Sequence, residues 1–287
     1  MNIFIYFQSV LYLMYTCNTY HMTIIFFLIG LIIGSFINAA VYRLSAVESL
    51  WERSHCPKCR KKIRWHDNIP LVSFFVLSMK CRDCGEKISW QYPVVELATG
   101  IIFALIGNYF FLAENQLSWI QTVFYMVLFS VLLIIFIYDM KYMEIPMIVV
   151  WIGVAASVAY LIAVDAQTFS TAASLFSLNI ISGAIGGCVA FAFFFALAWY
   201  SKEQWMGYGD AYLGLLAGLA VGWPAIFLAL ALSFTVGALA SFMLIVVGSK
   251  NLKSQVPFGP FLAIGIFLMI FLPKLFPSLK PLFEILG

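Results

Sequence analysis

Apolar residues in this chain are gathered into long runs that charge rarely interrupts, and this bounds the fold before any motif is read. A helix needs about 20 mostly apolar residues to cross a bilayer. Eight runs reach or approach that length: 23–42, 93–113, 118–138, 145–164, 177–200, 211–222, 224–247 and 257–272. Over 287 residues, 63% are hydrophobic and 10% charged, against about 45–50% and about 25% in ordinary globular chains. A soluble globule of that composition, with a mean hydropathy of +0.99, would lack the polar groups to cover its surface. Disorder, collagen, coiled coil and a disulfide mini-protein are excluded on the same ground. The expectation is an all-α polytopic membrane protein of about eight transmembrane helices. The run 211–222 is short and carries Gly214, Gly218 and Gly222, so it is expected to be broken, tilted or packed through its small residues.

Basic residues set the orientation. Ten of the sixteen Lys and Arg fall in 43–92, and with eight spans the loops on that side also hold Lys141, Lys202, Lys250 and Lys253. Only Lys274 and Lys280 fall opposite. The positive-inside rule then puts 43–92 in the cytoplasm. The net charge of +3 is too small to suggest a nucleic-acid partner; the expected surroundings are membrane lipid. Residues 3–15 are apolar but shorter than a span, and 16–21 are polar. No basic stretch precedes them, so a cleaved signal peptide is not expected. The segment 1–21 reads as an interfacial piece or, preferably, an N-terminal extension ahead of a start at Met22. The expected domains are then a first transmembrane helix at 22–42, a cytoplasmic insert at 43–92 and a membrane domain of about seven helices at 93–287.

The insert holds four of the six cysteines, as Cys56-Pro57-Lys58-Cys59 and Cys81-Arg82-Asp83-Cys84. Two-residue spacing lets both thiolates of each knuckle reach one tetrahedral ion, so Cys56, Cys59, Cys81 and Cys84 form a candidate structural Zn2+ site. A cytoplasmic location argues against disulfides, and a closed four-thiolate site leaves no open position for catalysis. His55 reads as a surface residue, and Cys17 and Cys188 as packing residues in apolar surroundings. No internal repeat is evident.

Acidic groups at membrane depth are costly. Of the thirteen, Glu114, Asp165 and Glu284 fall in outer loops or the tail, five lie in the insert, and Glu144 and Glu203 sit in short loops. Glu96, Asp139 and Asp210 stand out. Asp139 closes an apolar run and Asp210 opens one, ending Gly207-Tyr208-Gly209-Asp210. Both fall at the same face of the membrane. Two carboxylates sharing a site do not both ionise easily, so one holds a proton while the other activates water, as in aspartic proteases. Gly207 and Gly209 are read as giving the active-site loop the backbone conformations and close approach that bring the carboxylate to a substrate strand. The alternative is that each aspartate is an interfacial charge met by solvent or lysine. Helix polarity suggests that Asp210, near an N-terminal end, ionises first and Asp139, at a C-terminal end, holds the proton.

These residues resemble the bifunctional type IV prepilin peptidases. The resemblance runs from about residue 30 to 265. It rests on Gly34-Ser35-Phe36-Ile37-Asn38 with Tyr42-Arg43-Leu44, both cysteine knuckles, Trp65-His66-Asp67-Asn68-Ile69-Pro70 and Tyr92-Pro93-Val94-Val95-Glu96. It continues through Asp139 with Ile145-Pro146, the Gly207–Asp210 string and Pro257-Phe258-Gly259-Pro260. It implies an inner-membrane enzyme of eight spans that cleaves the short basic leader of prepilins and type II secretion pseudopilins at the cytoplasmic face. It also implies methylation of the new N-terminal residue with S-adenosylmethionine. By position, Asp139 and Asp210 match the catalytic pair and the four cysteines match the zinc ligands. Glu96 lies in the region associated with methyl transfer, with Asn38, Arg43, Asp67 and Asn68 as further candidates. Ser45, Met147 and Tyr212 depart from the family pattern, Tyr212 standing where a lysine is common.

Two other readings compete. One is an intramembrane GxGD aspartyl protease without methyl transfer, against which the cysteine insert and Ile145-Pro146 argue. The other is a zinc-containing transporter or scaffold, made less attractive by the lack of a candidate acid near the bilayer midplane.

Overall fold

The computed structural model describes residues 2–50, 52–111, 118–168, 178–248 and 256–279, with backbone alone at 2–19. Cys17, Glu114, Lys250, Lys253, Lys280 and Glu284 therefore lie outside the residues whose side chains are described. The described residues form α-helices and short turns, with two isolated β-bridges and no strand. Six helices are long and apolar enough to cross a membrane, and two more, Tyr208–Val221 and Gly259–Leu275, are apolar but shorter. Each of the eight expected runs coincides with a helix over most of its described residues. The protein is a multi-pass α-helical membrane protein, and it divides into two compact units, 1–130 and 131–287.

In the first unit, α1 (Asn2–Ala46) packs along α3 (Gln91–Ile106). Residues 2–21 are helical and run without a break into the first span. Small residues bring the two backbones together. A Cβ on Gly30 would lie 2.6 Å from the Thr99 carbonyl, and one on Gly34 would lie 2.7 Å from Cα of Glu96. This close approach is how membrane helices associate when no hydrophobic force acts between them. Between α1 and α3 the chain makes two knuckles and the short helix α2 (Val72–Val76).

The knuckles are copies of each other, offset by 25 residues, which corrects the expectation of no internal repeat. The amide of Cys56 donates to Lys61 and that of Arg60 to Cys56; likewise Cys81 donates to Glu86 and Gly85 to Cys81. Bridges His55–Lys62 and Lys80–Lys87 close the two turns. Arg60 and Gly85 both take positive φ, 58° and 72°. The repeat hides in the sequence because only the cysteines, the pairs Lys62-Ile63 and Lys87-Ile88, and Trp65 with Trp90 are shared.

The second unit takes in the end of α4 (Ser118–Tyr142), then α5 (Met147–Thr168), α6 (Asn179–Ser201), α7 (Tyr208–Val221), α8 (Ile226–Val246) and α9 (Gly259–Leu275). At 1.5 Å per residue, the 14 residues of α7 cover about 21 Å, short of a bilayer's hydrocarbon core. Helix α7 is packed tightly against α6, burying Ala211, Leu213, Gly214, Leu216, Ala217, Gly218 and Leu219. A Cβ on Gly218 would fall on the backbone of Gly186. Packing through small residues, anticipated for this run, is what the structure shows.

Two sequence expectations change in this unit. Cys188 is exposed rather than packed. Asp165, expected in an outer loop, is buried at the end of α5 and caps α6. It accepts the amides of Asn179 (2.9 Å) and Ile180 (2.8 Å) and the side-chain amide of Asn179 (2.8 Å). An orphan helix N-terminus needs such a partner.

Candidate active site and metal centre

Three helix ends converge in the second unit. The last turn of α4 presents Asp139, and the chain then turns through Met143 (φ 54°) before Pro146, a residue without an amide proton, leads into α5. Asp139 is 5% exposed, and its Oδ2 accepts the amide of Gly259, the first residue of α9, at 2.9 Å. Asp210 stands in the first turn of α7, where its Oδ2 reaches back to the amide of Gly207 at 3.2 Å. That is half of a capping box. Leu213, one turn further along α7, lies 3.5 Å from where a Cβ of Gly259 would be. Gly259 thus touches both the Asp139 carboxylate at the end of α4 and the first turns of α7, the helix that opens with Asp210. The structure therefore brings together two carboxylates that are 71 residues apart in the chain.

Neither glycine of the active-site string takes a left-handed backbone conformation. Gly207 has φ −80° and ψ 156°, which any residue adopts, and a Cβ there would meet nothing closer than 3.9 Å. Gly209 is helical, and a Cβ on it would press on Ile145 at 3.2 Å. Its smallness serves the approach of α7 to the Ile145-Pro146 turn, not a special backbone conformation.

The residue that sequence reasoning passed over is Gly259. A Cβ there would sit 2.6 Å from the Asp139 carboxylate. Its signal was the string Pro257-Phe258-Gly259-Pro260, whose contact partner lies 120 residues away. The helix-polarity argument also changes, because Asp139 ends α4 but caps α9. Both aspartates thus sit at the positive end of a helix, and polarity no longer separates them. Tyr212, at the position where a lysine is common, packs its ring against Trp151 and Phe191, with centroids 5.8 and 5.4 Å away.

In the first unit, Glu96 is buried on α3, with Oε2 accepting the amide of Leu71 at 2.8 Å and a further bond from Ser35. Asn38 is buried, donating to the Tyr92 carbonyl and accepting from Gln91. The Arg43 guanidinium is spent on the carbonyls of Leu50 and Glu52. Asp67 forms a two-pronged pair with Arg82 at 2.6 and 2.9 Å, which holds its carboxyl below the usual range. Asn68 is exposed in a 3-10 turn.

The four sulfurs of Cys56, Cys59, Cys81 and Cys84 lie within 4.8 Å of one another. Tetrahedral ligation with Zn–S bonds of about 2.3 Å requires S–S edges of about 3.8 Å, and Cys56 and Cys84 stand 3.9 Å apart. The cluster can hold a metal ion. Amides of Cys84 and Asp83 donate to Cys81 and bring its thiol down to about 7. Cys84 also receives an amide, from Glu86, yet partial desolvation and the thiols of Cys81, Cys59 and Cys56 push it up to about 12. Four such sulfurs ionise together only around a cation. His55 is outside the cluster, 3.6 Å from Glu48 and edge-on to Tyr42.

A multi-pass helical membrane protein with a four-cysteine insert and two carboxylates at converging helix ends is a narrow class, and known proteins narrow it further. The bacterial peptidase A24 N-terminal domain matches residues 28–110, and the type IV leader peptidase family matches residues 126–242. The prepilin leader peptidase/N-methyltransferase of Myxococcus xanthus is 30% identical over 76% of this chain and 62% of its own length. The type 4 prepilin-like proteins leader peptide-processing enzyme of Escherichia coli O78:H11 is 30% identical over 86% of this chain and 93% of its own. The corresponding figures for the Pseudomonas aeruginosa prepilin leader peptidase/N-methyltransferase are 30%, 83% and 86%. No solved structure matches. The chain is an enzyme of the type IV leader peptidase family.

Proposed function

We propose that this enzyme removes the short basic leader of type IV prepilins and type II secretion pseudopilins, using Asp139 and Asp210, and then methylates the new N-terminus with S-adenosylmethionine. The observation that carries the reading is the pair of aspartates held at converging helix ends by the amides of Gly259 and Gly207. Capping a helix needs one carboxylate, as Asp165 illustrates; gathering two at converging helix ends is a cost that catalysis explains. One aspartate takes a proton from water, and the resulting hydroxide adds to the scissile carbonyl as the protonated partner donates to the carbonyl oxygen. Collapse of the adduct breaks the C–N bond, with the proton passing to the leaving amine.

Lys and Arg crowding into the insert supports a cytoplasmic face in a bacterial inner membrane. There the basic leader and the start of the substrate's apolar segment would meet the aspartates. Family membership and the relatives' names speak against a transporter or scaffold, and the methyltransferase in two of those names against a peptidase alone. The assay is purified enzyme in detergent with a synthetic prepilin and S-adenosylmethionine, read by intact mass. Loss of the leader with a methyl increment is expected. An unchanged substrate mass would refute the reading.

For methyl transfer, the first unit fits in part. Asn38, Arg43 and Asp67 are engaged in structural bonds, and Asn68 is exposed. Glu96 is a buried carboxylate suited to a cationic sulfonium or to the substrate's new amine. S-adenosylmethionine would supply the methyl group. Glu96→Gln is expected to lower methylation at least about tenfold, the scale of one charged contact, while cleavage continues. Equal loss of both activities would remove Glu96 from this role.

The cysteine cluster is proposed to hold one Zn2+ as a structural brace of the insert. Elemental analysis of the purified protein should give one zinc per chain, and Cys56→Ser or Cys81→Ser should lose it. Acidification should release the metal, because protons compete for thiolates. Zinc-free protein with an intact insert would count against the brace.

A further inference from the structure

We infer that the middle of the four-cysteine insert is a membrane-interface anchor: residues 69–77 lay Val72, Phe75 and Val76 into the lipid boundary, and Arg64 and Lys80 take anionic headgroups. Depth is the first ground. Lys87 is the last charged residue before the apolar span Gln91–Phe111, and Glu96 is the one charged residue within it, so the polar-to-apolar change falls at the start of α3. Gln91 therefore stands at the boundary, and Glu96 lies about 7 Å inside it. The amide of Leu71 is bonded to Glu96. This pulls the start of α2 down beside α3, to the depth of about 5–10 Å at which interfacial helices bury their apolar face.

Chemistry is the second ground. Of the five residues in α2, Ser73 and Phe74 turn inward, Phe74 meeting Trp90 edge-on with centroids 5.0 Å apart. Val72, Phe75 and Val76 turn outward, 54%, 60% and 70% exposed. Trp90, which caps the start of α3, and Val94 in its first turn are also exposed, so the apolar surface of the span continues onto the insert. A domain bathed only in water rarely shows such a strip. Arg64 and Lys80 bracket the segment in sequence, are exposed, and form no ion pair among the described residues. Basic side chains beside an apolar strip fit an anionic lipid surface.

The inference stands on the depth of α3 and does not depend on the peptidase reading. The test places an environment-sensitive fluorescent amino acid at Phe75, Val76 or Lys58 of the full chain, in nanodiscs of phosphatidylcholine with or without phosphatidylglycerol. Brominated acyl chains should quench most of the emission at Phe75 and Val76 and little at Lys58, which is 71% exposed on the first knuckle. Quenching of Phe75 and Val76 by acrylamide to the same degree as Lys58 would overturn the inference. Shielding from both quenchers would overturn it in favour of a protein partner. Arg64→Gln with Lys80→Gln should reduce lipid quenching in phosphatidylglycerol discs alone. The same quenching before and after that double change would remove the headgroup contacts.

Discussion

Asp139→Asn and Asp210→Asn are each expected to cut leader removal about 10³-fold, within the range for loss of a general acid or base, or about 4 kcal/mol of barrier. Asparagine keeps the size of the side chain and its carbonyl oxygen still accepts an amide proton. The bonds to Gly259 and Gly207, and the helix starts they cap, should persist. The double variant should be little worse than either single one, because two groups sharing one proton act as a unit. Steady-state cleavage of a synthetic prepilin checks this, with thermal unfolding in detergent as the control. Full cleavage by either single variant would end its assignment as a catalytic residue. Multiplicative losses in the double variant would show that the two carboxylates work independently.

Gly259→Ala is expected to lower cleavage 10- to 100-fold while leaving stability nearly unchanged. The new methyl would lie 2.6 Å from Asp139 Oδ2, and the atom that yields is the tip of a side chain, so the cost falls on the aim of the carboxylate. A displacement of about 1 Å at a reacting group is enough for a loss of order 10². Because substrate binding does not use this contact, kcat should fall and KM should hold. Gly218→Ala is the paired control with the opposite signature. There the methyl meets the backbone of Gly186, which cannot rotate away, so stability should drop by at least about 1–3 kcal/mol. Normal kcat in Gly259→Ala would show that Asp139 tolerates the shift and that the glycine serves packing alone.

Both outcomes depend on features of different legibility. The aspartates were readable because a charge at the end of an apolar run is expensive and two of them fell on one predicted face. The four cysteines were readable because a C-x2-C spacing is a local geometric statement about reaching one ion. Gly259 was not, since a glycine announces no partner and its contact is made across 120 residues. Asp165 was misread for the same reason: its loop position looked solvated, yet the amides it caps belong to the next helix. The knuckle repeat was obscured because its likeness lies in amide bonds and positive φ rather than in side chains.

From the sequence alone follow the membrane class, the eight helical runs, the cysteine cluster and the two aspartates, because hydropathy, charge and short spacings act over one helix or one turn. Tertiary structure alone decided which backbone α7 meets at Gly218, that Asp139 caps α9, and that the start of α2 is bonded to Glu96. Those depend on which backbones approach, and close approach between distant segments is set by the shapes of both partners, which no local pattern contains.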